Sequence, residues 1–201
     1  MFIIQSIFMV GCAYKVQPTS VRAINLYNQY EEKIPGLFGL VVDDTLKDIK
    51  REIKPSTYFC SAHVYPLDTG NSLISSIRTM VGSLFEQTTD LSSLHSFEKS
   101  EYKGIIYVRL IDFTPKLNFY PGFWSGSCAA TTEISLEIVI RNQNEILFQT
   151  TSIGSKTAEG DAGSFCDKSG EVLAESITRA TRDVLERIAE RIANSSRLRK
   201  L

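Results

Sequence analysis

The sequence predicts an α+β fold, a mixed and largely antiparallel sheet with amphipathic helices packed on one face. Two patterns carry that prediction. Leu173, Ile177, Ala180, Val184, Ile188 and Ile192 recur at helical spacing and form one apolar stripe. Thr132, Ile134, Leu136, Ile138 and Ile140 alternate with Thr131, Glu133, Ser135, Glu137, Val139 and Arg141, the period of a strand with one face in the core and one in water. A striped helix and a one-faced strand each need cover on a single side, and packing one on the other supplies it.

The chain opens with Met1-Phe-Ile-Ile-Gln-Ser-Ile-Phe-Met-Val-Gly-Cys12, a short apolar run that ends in a small residue followed by cysteine. That ending fits a bacterial lipoprotein signal peptide. The peptidase needs a small residue before the cut, and the thiol is the nucleophile that takes a diacylglycerol thioether. On this reading residues 1–11 are a leader that is removed, and Cys12 becomes a lipidated N-terminus. The run is short for a leader and no Lys or Arg precedes it; a buried first strand ending in Gly-Cys is the alternative. Ala13 follows the cysteine. Lipoproteins kept at the inner membrane of enteric-type bacteria typically carry Asp there, so Ala13 points to the periplasmic face of the outer membrane.

Residues 12–35 read as a lipidated tether and lead-in, interrupted by Pro18 and closed by Pro35-Gly36. Residues 36–196 read as a single periplasmic domain and residues 197–201 as a basic tail, its charges near the negative end of the last helix. Leu37 to Val42 is the first strand, ended by Asp43-Asp44. Thr45 to Lys54 suits a polar helical turn, and Thr57 to Tyr65 a second strand stopped by Pro66. A helix follows with Leu73, Ile77, Met80, Val81 and Leu84 inward, Ser72, Ser75, Ser76 and Ser83 outward, and Asp68 or Thr69 as its cap. Residues 88–103 read as a surface loop. Gly104 to Phe113 is apolar on both faces and so central. After the alternating strand, Arg141 to Glu145 turns the chain, Ile146 to Ile153 returns antiparallel, and Gly154 to Gly170 is a loop. The last helix, 171–194, carries Glu175–Arg179 and Asp183–Arg187 as acidic-before-basic pairs four residues apart.

At 201 residues, 43% of them hydrophobic, the chain is the size of one domain plus a leader. A net charge of −1 gives no basic footprint, so nucleic acid is not an expected partner. No apolar run reaches the roughly 18 residues of a spanning helix. With Cys12 assigned to lipid, Cys60, Cys128 and Cys166 remain. Cys128 and Cys166 both sit in Gly/Ser-rich settings that flank one hairpin, and a bridge between them is the expectation. It would close a loop of roughly 40 residues, about 3–4 kcal/mol in the chain-entropy account. Two unpaired thiols are the alternative; Cys60 is expected as a buried small hydrophobe.

Candidates for chemistry are weak. Cys60 and His63 have the spacing of half a metal site, but on a strand residues three apart point to opposite faces. The same geometry separates them as nucleophile and base. Asp43–Asp44 could hold a cation, though a turn ending a strand is far commoner. Gly36-Leu-Phe-Gly39 and Gly160-Asp-Ala-Gly163 lack the third glycine of a dinucleotide loop. No catalytic set, metal or cofactor is therefore expected. One segment reads as a functional surface. Phe119, Tyr120, Phe123 and Trp124 fall within six positions broken by Pro121-Gly122, and an exposed aromatic loop marks a partner-binding site. The alternative has Phe119 and Trp124 folding back to cap the sheet.

In the Met9-to-Cys12 lipobox, the strand ending Leu110-Ile-Asp-Phe113, the hairpin from Thr131 to Ile153 and the closing helix 171–194, the chain resembles the small bacterial outer-membrane lipoproteins of the YajG type. Fold relatives of that type include the curli-secretion CsgG periplasmic domain and the PelC exopolysaccharide lipoprotein. The resemblance is architectural and rests on no invariant motif. It implies a periplasmic, non-catalytic and often oligomeric envelope component. The expected function is a lipid-anchored interaction or scaffold protein, held to the membrane by its N-terminal lipid and bound to other envelope proteins or to copies of itself. The alternatives are a ring-forming secretion or exopolysaccharide-export accessory lipoprotein, and an envelope enzyme.

Overall fold

The computed structural model describes residues 12–25, 32–93, 102–122 and 126–200. In chain order the elements are β1 (Ile34–Val42), α1 (Asp44–Lys47), β2 (Lys50–Ile53), β3 (Tyr65–Asp68), α2 (Gly70–Leu84), β4 (Phe85–Asp90), β5 (Gly104–Tyr120), β6 (Ser127–Arg141), β7 (Ile146–Asp161) and α3 (Ser169–Ala193), with a final 3₁₀ turn at Leu198–Lys200. Five strands form one mixed sheet in the order β4-β1-β5-β6-β7, and β2 and β3 form a small antiparallel pair. β1 runs parallel to both neighbours, whereas β5, β6 and β7 form an antiparallel meander. The predicted class holds: an α+β fold.

Both amphipathic helices bury the stripes the sequence marks, Leu73, Ile77, Met80, Val81 and Leu84 on α2 and Leu173 to Ile192 on α3. α3 lies across β6 and β7 and also meets α2. Gly154 on β7 is where α3 comes closest. A Cβ there would collide with Ala180 O and would stand 2.6 Å from Val184 N, so only glycine permits the approach. Thr132 on β6 and Ser176 on α3 satisfy each other's buried hydroxyls at 2.7 Å. Glu175–Arg179 and Asp183–Arg187 pair at 2.5 and 3.2 Å, and Lys156 adds a β7–α3 contact to Asp183 at 3.2 Å.

Several expected boundaries move, each for a physical reason. β5 continues well past Phe113, because a bulge between Leu110 and Asp112 changes which residues face the helices. Ile106 and Val108 are inward before it; Phe113, Leu117 and Phe119 are inward after it. Pro115 is tolerated because β1 pairs only with the first residues of β5, leaving that later edge free of ladder bonds. The free edge is closed by a loop instead: Ser56 N donates to Leu117 O at 2.9 Å and Phe119 N to Thr57 Oγ1 at 3.0 Å. Residues 57–63, expected as a strand, therefore form turns, and the strands lie on either side as β2 and β3. Pro66 lies within β3, where its carbonyl accepts from Val16 N at 3.0 Å.

Residues 85–90, the last three of them expected as loop, form β4, a polar edge strand parallel to β1. β7 runs on to Asp161 instead of ending at Ile153, because every residue from Gly154 to Asp161 finds a partner on β6. Thr69 stands at the start of α2 but makes no side-chain cap. Ser76, expected outward, is buried and accepts from Val21 N at 2.9 Å. The lead-in is no free tether over its first residues. Ala13 and Val16 pair in parallel with Val64 and Leu67, and Val16 and Val21 are buried in the core.

Candidate functional site

One end of the molecule gathers the features that sequence singles out. The C-terminal ends of β5 and β7, the start of β6, the 56–63 turns and Cys12 all meet there. Cys12 is exposed and its thiol is free. Its carbonyl accepts from Val64 N at 3.3 Å, and Tyr14 N donates to Val64 O at 2.9 Å. The ring of Tyr14 lies 5.3 Å from that of His63 and 5.8 Å from that of Tyr65, and its hydroxyl donates to Phe165 O at 2.9 Å. Partial burial, followed by the nearby Cys12 thiol, pushes the ionisation of Tyr14 upward.

The disulfide joins Cys60 to Cys166, with Cα atoms 6.3 Å apart and a sequence separation of 106. The expected Cys128–Cys166 bridge is corrected by this pairing. Cys128 sits at an inward position of β6 and is buried and free, its thiol pushed up by burial. Cys60 lies on the 56–63 turns and Cys166 on the loop after β7, two segments far apart in sequence that the small sheet and α3 bring together. Both half-cystines adopt left-handed backbone, φ 61° and 63°. Bridged, Cys60 is no buried hydrophobe and offers no thiolate to pair with His63.

The aromatic segment divides. Phe119 is 2% exposed and packs against Tyr65 and Phe59, so its assignment to a partner-binding surface is corrected: it faces the core on the extended β5. Tyr120, the next residue, points outward and is 53% exposed. Phe123 and Trp124 lie outside the described residues. Sequence reading missed three other rings at the same end. Tyr58 is 96% exposed, Phe165 76%, and Phe59 is also exposed. A signal was present in Tyr58-Phe59-Cys60 and Phe165-Cys166, aromatics directly beside the cysteines that form the bridge. Beside this end lies a cleft of about 540 Å³ lined by Ala13, Lys15, Lys50, Arg51, Pro66 and Leu67 among others.

The sheet face opposite the helices carries a polar network. Tyr107 donates to Asp43; Arg109 Nε donates to Glu137 at 2.5 Å, and Gln149 Nε2 to the other oxygen of Glu137 at 2.9 Å. The hydrogen bond to Asp43, with burial, pushes Tyr107 up to about 12. Asp43 is held low by Tyr107 and by Thr45, and Glu137 by Gln149 and Arg109. Asp43 and Glu137 are thus held ionised and Tyr107 protonated at neutral pH. Asp43 caps α1 through Thr45 N and Asp44 pairs with Lys47 at 2.7 Å, the arrangement of a turn. Among the described residues no three His, Cys, Asp or Glu side chains come together as a metal site.

No protein-family model matches the chain, and no curated protein sequence matches it. Among solved structures it is similar to a Xanthomonas campestris protein of family-model DUF330, with TM-score 0.44 and 10% identity over 89% of this chain and 95% of that one. A putative neuraminyllactose-binding hemagglutinin homolog from Helicobacter pylori gives TM-score 0.45 and 8% identity over 86% and 90%. A minor lipoprotein from Acinetobacter baumannii gives 0.35 and 11% over 78% and 87%.

Proposed function

We propose that the protein is a lipid-anchored interaction or scaffold protein of a bacterial cell envelope, held by Cys12 at the periplasmic face of the outer membrane and working by binding. The observation that carries this reading is the state of the cysteines. Cys12 is exposed and free, whereas Cys60 and Cys166 are bridged and Cys128 is buried. The one thiol open to a lipid-transferring enzyme is therefore the one that follows Met9-Val10-Gly11. A disulfide suits an oxidising compartment such as the periplasm. The most developed polar cluster, Asp43–Tyr107–Arg109–Glu137–Gln149, is satisfied within itself and holds no group poised to exchange a proton near neutrality, which favours binding over catalysis. No described helix is long and apolar enough to cross a membrane.

A hairpin that inserts into the membrane would need a free apolar face. On β6 and β7 the apolar face packs beneath α3, and the other carries Glu133, Glu137, Gln149 and Thr151. The scaffold reading stands ahead of the ring-forming one on that ground. Its test is Cys12→Ala, with fractionation and intact mass as readouts. Wild type should be in the membrane fraction with the mass of a diacylglycerol adduct. The variant should be released or left unprocessed. A variant that fractionates and migrates like wild type would overturn the reading.

A further inference from the structure

We infer that the loops around Cys12 form a membrane-contact surface, with Tyr58, Phe59, Tyr120 and Phe165 seated at the headgroup–acyl boundary of the bilayer that Cys12 anchors. This deepens the proposed function and rests on Cys12 carrying lipid. The first argument is the length of the leash. The Cys12 carbonyl is itself hydrogen-bonded to Val64 N, Tyr14 N donates to Val64 O, and Val16 N donates to Pro66 O on β3. No free residue separates the anchor from the domain, so acyl chains on Sγ start within one side chain of the folded surface. A domain anchored without slack has to rest on the bilayer at this end.

The second argument is what that end presents. Among the described residues the exposed aromatic side chains are Tyr58, Phe59, Tyr120 and Phe165, and all four belong to it; the large apolar residues exposed elsewhere are the isoleucines Ile111, Ile146 and Ile153. The amphipathic rings of Tyr58 and Tyr120 favour the membrane–water boundary, where an apolar body and a polar hydroxyl are both satisfied, and the apolar rings of Phe59 and Phe165 favour the acyl side of it. The loops that carry these rings are also held in place. The Cys60–Cys166 bridge ties the loop of Tyr58 and Phe59 to that of Phe165, Tyr14 holds Phe165 O, and Ser56 and Thr57 fasten the first loop to β5. Loops ordered in advance lose little backbone entropy on seating, and burial of their rings adds to the acyl chains without replacing them.

The test uses the full-length lipidated protein reconstituted in phosphatidylethanolamine–phosphatidylglycerol vesicles. Trp124, the sole tryptophan, is replaced by Phe. A reporter is then introduced as Phe165→Trp, as Tyr58→Trp in a second variant, or as Gln143→Trp in the turn at the far end. The first two should be quenched several-fold more strongly by bromolipid than the third and be shielded from iodide. The third should show the reverse. If intact mass confirms lipid on Cys12 and the first two reporters remain iodide-accessible, the contact surface is overturned while the anchor stands. Shielding from both quenchers places the rings in a protein contact and overturns it equally. An unlipidated chain in the soluble fraction removes the anchor, and the inference falls with it.

Discussion

Cys60 and Cys166 hold the left-handed region at φ 61° and 63°, where a residue with a Cβ pays roughly 1–2 kcal/mol that glycine does not. The bridge maintains that strain by closing a loop of 106 positions, a constraint on the unfolded chain of about 4–5 kcal/mol in the chain-entropy account. Removing the bridge separates the two effects. The double variant Cys60→Ser, Cys166→Ser should lose most of the constraint and keep the strain. Cys60→Gly with Cys166→Gly should lose the constraint and relieve the strain, ending more stable than the serine pair by roughly 1–2 kcal/mol over both sites, after the entropy glycine adds to the unfolded chain. Urea midpoints at matched slope give the answer, and a serine pair as stable as the glycine pair would contradict it. Non-reducing peptide maps should link 60 with 166 and leave Cys128 open to alkylation only after unfolding.

At the scale of the element, the contact of α3 with β7 depends on one missing Cβ. Gly154 lies opposite Ile134 in the sheet, under the turn of α3 that contains Ala180 and Val184. The colliding atoms there belong mostly to the helix backbone, which cannot swing aside as a side chain can. Gly154→Ala should therefore cost roughly 1–3 kcal/mol, the usual range for overpacking a tight core. Gly82 on α2 is the control, since a Cβ there meets nothing. Gly82→Ala should be neutral to slightly stabilising, as alanine favours helix over glycine by about 1 kcal/mol. Thermal melts of the two variants compare them directly, and equal losses would mean that α3 has slack against the sheet.

Across the whole molecule, two tyrosines far apart couple stability to alkali. Tyr65, buried in the aromatic end with its hydroxyl on Cys166 O, and Tyr107, bonded to Asp43, are both pushed up to about 12, the first chiefly by burial and the second chiefly by that hydrogen bond. The folded state keeps these protons where the unfolded chain, with tyrosine near 10, has lost them. The stabilisation is full below pH 10 and is lost as pH climbs through 12. Absorbance titration should show Tyr65 and Tyr107 ionising late, together with unfolding. Tyr107→Phe should remove one late step and leave the other. The acid side runs the opposite way: Asp43 and Glu137, both held low, contribute above the usual carboxylate range and lose that contribution as pH falls.

The sequence by itself determined the elements whose periodicity is long and unbroken. α3 buries the residues its stripe names, and β6 turns Thr132 to Ile140 inward as their alternation requires, because burial of one face is the same demand whatever lies opposite. Cys12 stood out for a similar reason, since a small residue before a cysteine at the end of an apolar run is a local pattern. Tertiary structure decided the rest. The bulge in β5 reverses which residues face the core, and so buries Phe119 while exposing Tyr120, a switch that no periodicity announces. Pairing along β6 carries β7 through a Gly/Ser-rich stretch that reads as loop. The partner of Cys166 depends on where the 56–63 turns come to rest, and their place is set by hydrogen bonds to an edge of β5 that local sequence does not contain.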